Sequence, residues 1–445
     1  MSTVDCVMTA HDLPIEARSG VAHAKRMLRV ALDVSILKHG AAADSRRSGL
    51  FRVTEGLVTA LAHHPHCDLV LLVPQSYRAL LHVQAYLTAT RSDARRHLVV
   101  PAGTAARARL EEFAARWSDP QRRDAVFLEL GGRAIQKLTG GSGSEFAARQ
   151  ASACDVFHSP AYPLPASTAR PRVRVLTCHD VLPIRRPDLF EPAHIAFVKE
   201  ILQSIRREDH VICVSQATAA DFQELTGHPA DRVHVVHSAA DRELFHQVVD
   251  SERLDAVATK YGIRTPYILS VGTLEPRKNL AHVIRAFAAM LNQQPAANLT
   301  LVIVGGAGWG SDVGKLIADD PATARHIVRT GYVPDADLAP LYSGASAFVY
   351  MSLFEGFGLP LLEAMQCGTP VIGSNIAALR EVADDAGTLL DPRDVEGLAG
   401  AMWRLHRHAT ERAIASRAAL QRAVQFTWQR SAEAVMRTYE IALAS

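Results

Sequence analysis

The apolar residues of this chain gather in short runs that do not alternate with polar ones. In the first half the runs are Leu28–Val34, Asp68–Val73, Val173–Cys178, Asp209–Ser215 and Arg232–His237. In the second half they are Tyr267–Gly272, Leu299–Gly305, His326–Gly331, Ala345–Tyr350 and Thr369–Gly373. A strand that is apolar at nearly every position is buried on both faces, as in a parallel sheet covered by helices. Helix-like stretches follow the runs, so the pattern predicts an α/β chain. So many strands overfill one sheet, and two doubly wound, Rossmann-like domains are expected. Near the end, Trp428, Ala432, Val435, Met436, Tyr439 and Leu443 recur at helical spacing behind Thr427, a natural N-cap. That stripe has to be buried against something.

The polar stretch Asp250–Thr265 ahead of Pro266 marks the expected boundary. The division is a loose tail over 1–26, a first domain over 27–255, a second over 262–425 and the terminal helix over 426–445. A length of 445 residues fits two domains, since one usually takes roughly 100–200. With 48% apolar and 21% charged residues, disorder and a coiled coil are excluded. The 48 Lys and Arg against 46 Asp and Glu give a net charge of +2, so nothing marks nucleic acid as a partner. Six cysteines stand alone, without metal-ligand spacing, as in a reducing compartment. No apolar stretch is long enough to span a bilayer. These features predict a soluble cytoplasmic protein whose membrane contact, if any, is peripheral. Segment 91–150 departs from the rest, with 11 Lys and Arg against 7 Asp and Glu. Leu110, Phe113 and Trp117 share one helical face, and Phe127, Leu130, Ala134 and Leu138 share another. Either two ordinary helices pack there on the first sheet, or a basic amphipathic surface meets anionic lipid or a lipid-linked acceptor.

The chemistry concentrates after two strands of the second half. In Glu355–Glu363, EGFGLPLLE, Gly356 and Gly358 permit close backbone approach, and Leu359–Gln366 reads as a helix ended by Gly368. The free N–H groups and dipole of that helix start suit a diphosphate. Glu363 is placed to accept from a vicinal diol, and Glu355 to face what lies beyond the phosphates. In Gly272–Asn279, GTLEPRKN, Arg277 and Lys278 are adjacent cations able to clamp a pyrophosphate, unless they are a solvated surface pair. His179, in TCHDVLP, stands at a strand's C-terminal end, where α/β ligands bind, with Asp180 beside it to orient it or the loop. Asp335-Ala336-Asp337 has a D-x-D metal pattern, but it opens a helix, so one of the two acids is read as its N-cap and no metal is expected.

Together, SVGTLEPRKNL, LVIVGGAGW and TGYVPDADLAPLYSGASAFVYMSLFEGFGLPLLEAMQCGTPVI resemble the family 4 retaining glycosyltransferases, closely over residues 262–445. The resemblance implies a GT-B fold: two domains facing across a cleft, with the C-terminal helix crossing back to the first. It implies that Glu363 holds the nucleotide ribose and Glu355 the transferred sugar. Arg277 and Lys278 would bind the diphosphate, together with the amides of Phe357, Gly358 and Leu359. Thr273 would join the donor site, the stretch Tyr332–Pro334 would flank the base, and His179 would reach the donor sugar. Two loops depart from the family pattern. Gly49-Leu50-Phe51-Arg52 stands where G-I-G-R is usual, with Gly49 still available to the donor, and His237–Asp241 replaces P-N-G-V-D.

The implied reaction moves a hexose from a nucleotide diphosphate sugar to a glycan or lipid-linked acceptor, with no metal cofactor. GDP-mannose is the first choice of donor; GDP-fucose, a dTDP-sugar or a UDP-sugar is the alternative. The competing readings are a nucleotide-sugar-binding scaffold and a nucleotide-sugar epimerase, which would need further acid–base carboxylates in the cleft.

Overall fold

A computed structural model describes residues 26–41, 48–109, 143–165, 171–310 and 313–445. The first sheet holds β1 (Leu28–Asp33), β2 (Cys67–Leu72), β3 (Val156–Ser159), β4 (Val173–Cys178), β5 (His210–Cys213) and β6 (Val233–Val235), in the order β2-β1-β3-β4-β5-β6. The second holds β7 (Tyr267–Val271), β8 (Thr300–Val304), β9 (Ile327–Gly331), β10 (Ala347–Tyr350), β11 (Val371–Ser374) and β12 (Thr388–Leu390), in the order β12-β11-β10-β7-β8-β9. Every pairing is parallel. The continuous apolar runs therefore mark doubly wound sheets with helices on both faces.

Two strands escape the pattern. β3 is central, but its sequence VFHS carries His158, which interrupts the apolar run although it is fully buried. Its polarity is met at a distance: Nδ1 lies 2.7 Å from the Tyr439 hydroxyl and Nε2 2.8 Å from Thr177 Oγ1. β12 is a half-buried edge of three residues, too short for a period to show.

The C-terminal helix, Trp428–Ala444, starts where Thr427 Oγ1 accepts from the Arg430 amide. It buries Ala432, Val435, Met436 and Tyr439 in the core of the first domain. A Cβ on Gly56 would come within 2.1 Å of the Trp428 ring, so this glycine lets the indole lie on the helix Gly49–Ala62. The stretch read as an interdomain boundary contains a helix, Ser251–Lys260, capped by Asp250. Lys260 and Tyr261 reach Asp337 from it, fixing it to the second domain.

No helix among the described residues is long and apolar enough to cross a membrane. The two helical faces expected within Leu110–Leu138 lie outside the described residues.

Candidate functional site

In the second sheet the chain reverses its winding between β7 and β10, which are neighbours. The crevice at such a switch point, beyond the C-terminal strand ends, is where α/β sheets bind ligands. Both motifs of the second domain leave the sheet there. From the loop after β7, Lys278 Nζ reaches Glu355 Oε1 at 2.6 Å and the Tyr350 hydroxyl at 2.5 Å. Arg277 Nη1 reaches the same carboxylate oxygen at 3.1 Å, while its Nε bonds Glu275 at 2.9 Å. Tyr350 donates to Glu355 Oε1 at 2.7 Å. Lys278 and Glu355 side chains are each 10% exposed. Burial works against the Glu355 charge, but Lys278 and Arg277 overcome it and hold the carboxyl near pKa 2. Burial and the neighbouring Arg277 push the Lys278 ammonium down, while the Arg277 guanidinium is held charged by Glu355 and Glu275 against its own burial. Arg277 and Lys278, balanced by Glu355 and Glu275, are held side by side in a nearly dry crevice, where their N–H groups are available to an anionic ligand.

Beside this cluster the helix Leu359–Gln366 begins at Gly358, whose φ of 110° is open to glycine without strain. The amides of Phe357, Gly358 and Leu359 have no hydrogen-bond partner among the described residues. Three unused donors at a helix N-terminus form an anion cradle next to Arg277 and Lys278. Phe357 contributes its backbone alone, because its ring is 5% exposed and packs on His237 and Phe426. Val333 likewise lies in the core at 3% exposure, so its side chain cannot flank a base; Tyr332 beside it is 43% exposed. The core position follows from β9 handing its chain to the buried helix Asp335–Ser343. Thr273 is exposed, and its carbonyl accepts from the Glu275 amide.

One helical turn inside, Glu363 is buried with two bonds. Arg52 Nη1 donates to Oε1 at 2.8 Å, and the Tyr342 hydroxyl to Oε2 at 3.1 Å. The other arm of Arg52 holds Asp335 at 2.5 Å. The expectation that Asp335 or Asp337 caps its helix is corrected: Pro334 is the N-cap, without a side-chain bond. Both acids stand in the first turn, where the dipole favours them, and their oxygens are drawn to Arg52 and to Lys260 with Tyr261. Among the described residues no group of three or more His, Cys, Asp and Glu could hold a metal.

The first domain meets this surface directly. His179 Nε2 lies 2.7 Å from the Pro160 carbonyl, which can only accept, so Nε2 carries the proton and Nδ1 remains an acceptor. Burial lowers the His179 pKa, against the pull of the Pro160 carbonyl and Asp180, and keeps the ring neutral. Asp180 orients the loop rather than His179, accepting from the Leu182 amide at 3.1 Å. A Cβ on Gly356 would stand 1.9 Å from the His179 carbonyl oxygen. The close approach Gly356 permits is therefore to the opposite domain's backbone, not only to a ligand. Its own carbonyl accepts from Ser215 Oγ at 2.6 Å and Thr218 Oγ1 at 2.9 Å. Glu381 adds a second fastening, accepting from the amides of Gln216 and Ala217 and lying 2.5 Å from His237 Nε2.

Gly49-Leu50-Phe51-Arg52, expected as a loop, is the first turn of the helix Gly49–Ala62, capped by Ser48. Phe51 is buried as its core anchor, which is why a bulky residue stands there. Gly49 still faces the donor helix, since its Cβ would lie 3.4 Å from Leu359 Cδ1. A cavity of about 1040 Å³ runs from Arg52 and Glu363 between this helix and the C-terminal one. Sequence reading missed Arg52, Tyr350, Tyr342 and Glu381 as members of the site. Arg52 gave one signal, a charge closing the first-domain motif; the others are ordinary residues whose partners are remote in the chain.

Two sheets across a cleft, tied by a returning terminal helix and presenting a cationic crevice at a switch point, define a GT-B fold. A family model described as Glycosyltransferase Family 4 matches residues 47–244, and one described as Glycosyl transferases group 1 matches residues 265–408. The chain is 32% identical over 288 residues to O-antigen chain mannosyltransferase B of Escherichia coli, covering 64% of this chain and 74% of that protein. It is 31% identical over 281 residues to the serotype-specific mannosyltransferase WbdA of Escherichia coli, covering 62% of this chain but 34% of that larger relative. Among solved structures, Anabaena HepE in complex with UDP and glucose superposes with a TM-score of 0.61 at 16% identity, covering 93% of this chain and 99% of that one. The chain belongs to the family 4 glycosyltransferases, as its R-K and E-x7-E motifs led one to expect.

Proposed function

We propose that this enzyme transfers mannose from GDP-mannose to a hydroxyl of a growing glycan or lipid-linked acceptor, with retention at the anomeric carbon and without a metal ion. The mannose assignment rests on the names of the relatives in Escherichia coli. The observation that carries the transfer chemistry is the Arg277–Lys278–Glu355 cluster set against three unused helix amides.

In this reading Arg277, Lys278 and the amides of Phe357, Gly358 and Leu359 take the diphosphate, and Glu363 the ribose diol. Glu355 and the Nδ1 of neutral His179 accept from hydroxyls of the sugar and fix its orientation. As the bond from the anomeric carbon to the diphosphate oxygen breaks, negative charge grows on that oxygen, where preorganised cations and amides lower the barrier most. The acceptor hydroxyl adds on the same face, and its proton passes to the departing diphosphate. The protein thus supplies position and charge and no covalent partner. The acceptor would be met at the inner face of a membrane.

The test is transfer of radiolabelled sugar to an acceptor-lipid extract from GDP-mannose, GDP-fucose, a dTDP-sugar and a UDP-sugar, each with and without EDTA. Transfer from GDP-mannose that survives EDTA is expected. Labelling from another donor alone would reassign the sugar, and loss of all transfer in EDTA would refute the metal-free mechanism.

A further inference from the structure

The two glutamates of the E-x7-E motif are charge-balanced differently. Glu355 draws both its cations, Arg277 and Lys278, from its own domain. Glu363, whose side chain is 4% exposed, has one cation within ion-pair distance among the described residues, and that is Arg52 of the opposite domain. Burying a carboxylate is costly unless it is paired and hydrogen-bonded. Arg52 is built to be that partner. It stands in the first turn of the helix Gly49–Ala62, its guanidinium lies 5.2 Å from the Phe245 ring centroid, and Asp335 grips its other arm. Its Nε is buried without a partner, so the side chain is aimed by its two terminal nitrogens and by stacking.

We infer that Arg52 is a positioning residue of the donor site: it pairs with Glu363 and aims its carboxylate, so the ribose subsite is complete only when the first domain is docked on the second. Nucleotide recognition is then coupled to cleft closure through one bond. Glu363 Oε1 holds the arginine, and the remaining lone pairs of the carboxylate are left for the ribose. The inference rests on the assignment of Glu363 to the ribose.

A double-mutant cycle tests it, with GDP and UDP titrated calorimetrically into the full-length protein. R52A should weaken binding of the preferred nucleotide about 10- to 150-fold, the range for a lost charge-assisted hydrogen bond. E363A should weaken it at least as much, and R52A/E363A should bind no worse than E363A alone. R52K, which retains a cation, should recover part of the loss, and the donor KM of R52A should rise more than kcat falls. If the alanine variant unfolds, R52M, which keeps the stem against Phe245, carries the same comparison. Unchanged or tighter binding by R52A or R52M, or losses that add in full, would overturn the role of Arg52 alone. Unchanged binding by E363A would overturn the ribose assignment and this inference with it.

Discussion

Replacing Lys278 with alanine removes a nearly buried ammonium whose Nζ lies 2.6 Å from Glu355 and 2.5 Å from Tyr350. A charge about 4 Å from a developing oxyanion is worth about 4 kcal/mol at an effective dielectric of about 20. Arg277 and the three free amides remain, so the net loss of transition-state stabilisation should be about 1.4–2.7 kcal/mol, a fall in kcat of about 10–100-fold. The loss should fall on kcat more than on KM, because the charge grows as the sugar leaves. The fold should survive, since Glu355 keeps Arg277 at 3.1 Å and Tyr350 at 2.7 Å. The destabilisation should therefore stay below the about 3–5 kcal/mol that follows when a buried charge loses its partner outright. Initial rates at saturating donor, beside thermal melting of both proteins, read the two effects separately. Near-native kcat in a variant that melts normally would refute the role given to Lys278.

Three further outcomes follow from the packing. G356A cannot place its methyl group 1.9 Å from the His179 carbonyl, so the domains should separate; small-angle scattering should show a larger radius of gyration and transfer should fall at least about tenfold. Y439F leaves the buried Nδ1 of His158 without its partner and should cost about 1–3 kcal/mol in denaturant unfolding, with m unchanged. Burial, with a smaller push from His179, depresses the folded His158 pKa from 6.5 to about 3, so between these values the unfolded chain binds the extra proton. The stability His158 contributes is thus whole above about pH 6.5 and is lost as pH falls toward 3, by up to about 1.4 kcal/mol per unit. H158N should flatten the stability–pH curve between pH 4 and 6, and an unchanged slope would show that the imidazole does not titrate on unfolding.

The sequence by itself determined the architecture and where the two second-domain motifs leave the sheet. Buried parallel strands leave uninterrupted apolar runs, and Arg277, Lys278, Glu355 and Glu363 stand in short motifs directly after such strands, so their place at the strand ends was legible from local pattern. Tertiary structure decided whom these residues meet. Glu363 finds its cation 311 positions away at Arg52, and His158 its hydroxyl 281 positions away at Tyr439. Gly356 fits the backbone of the opposite domain rather than a ligand alone. The reason is physical: periodicity records which face of an element loses water, whereas the partner that makes a buried charge or polar group tolerable is fixed by how the elements pack.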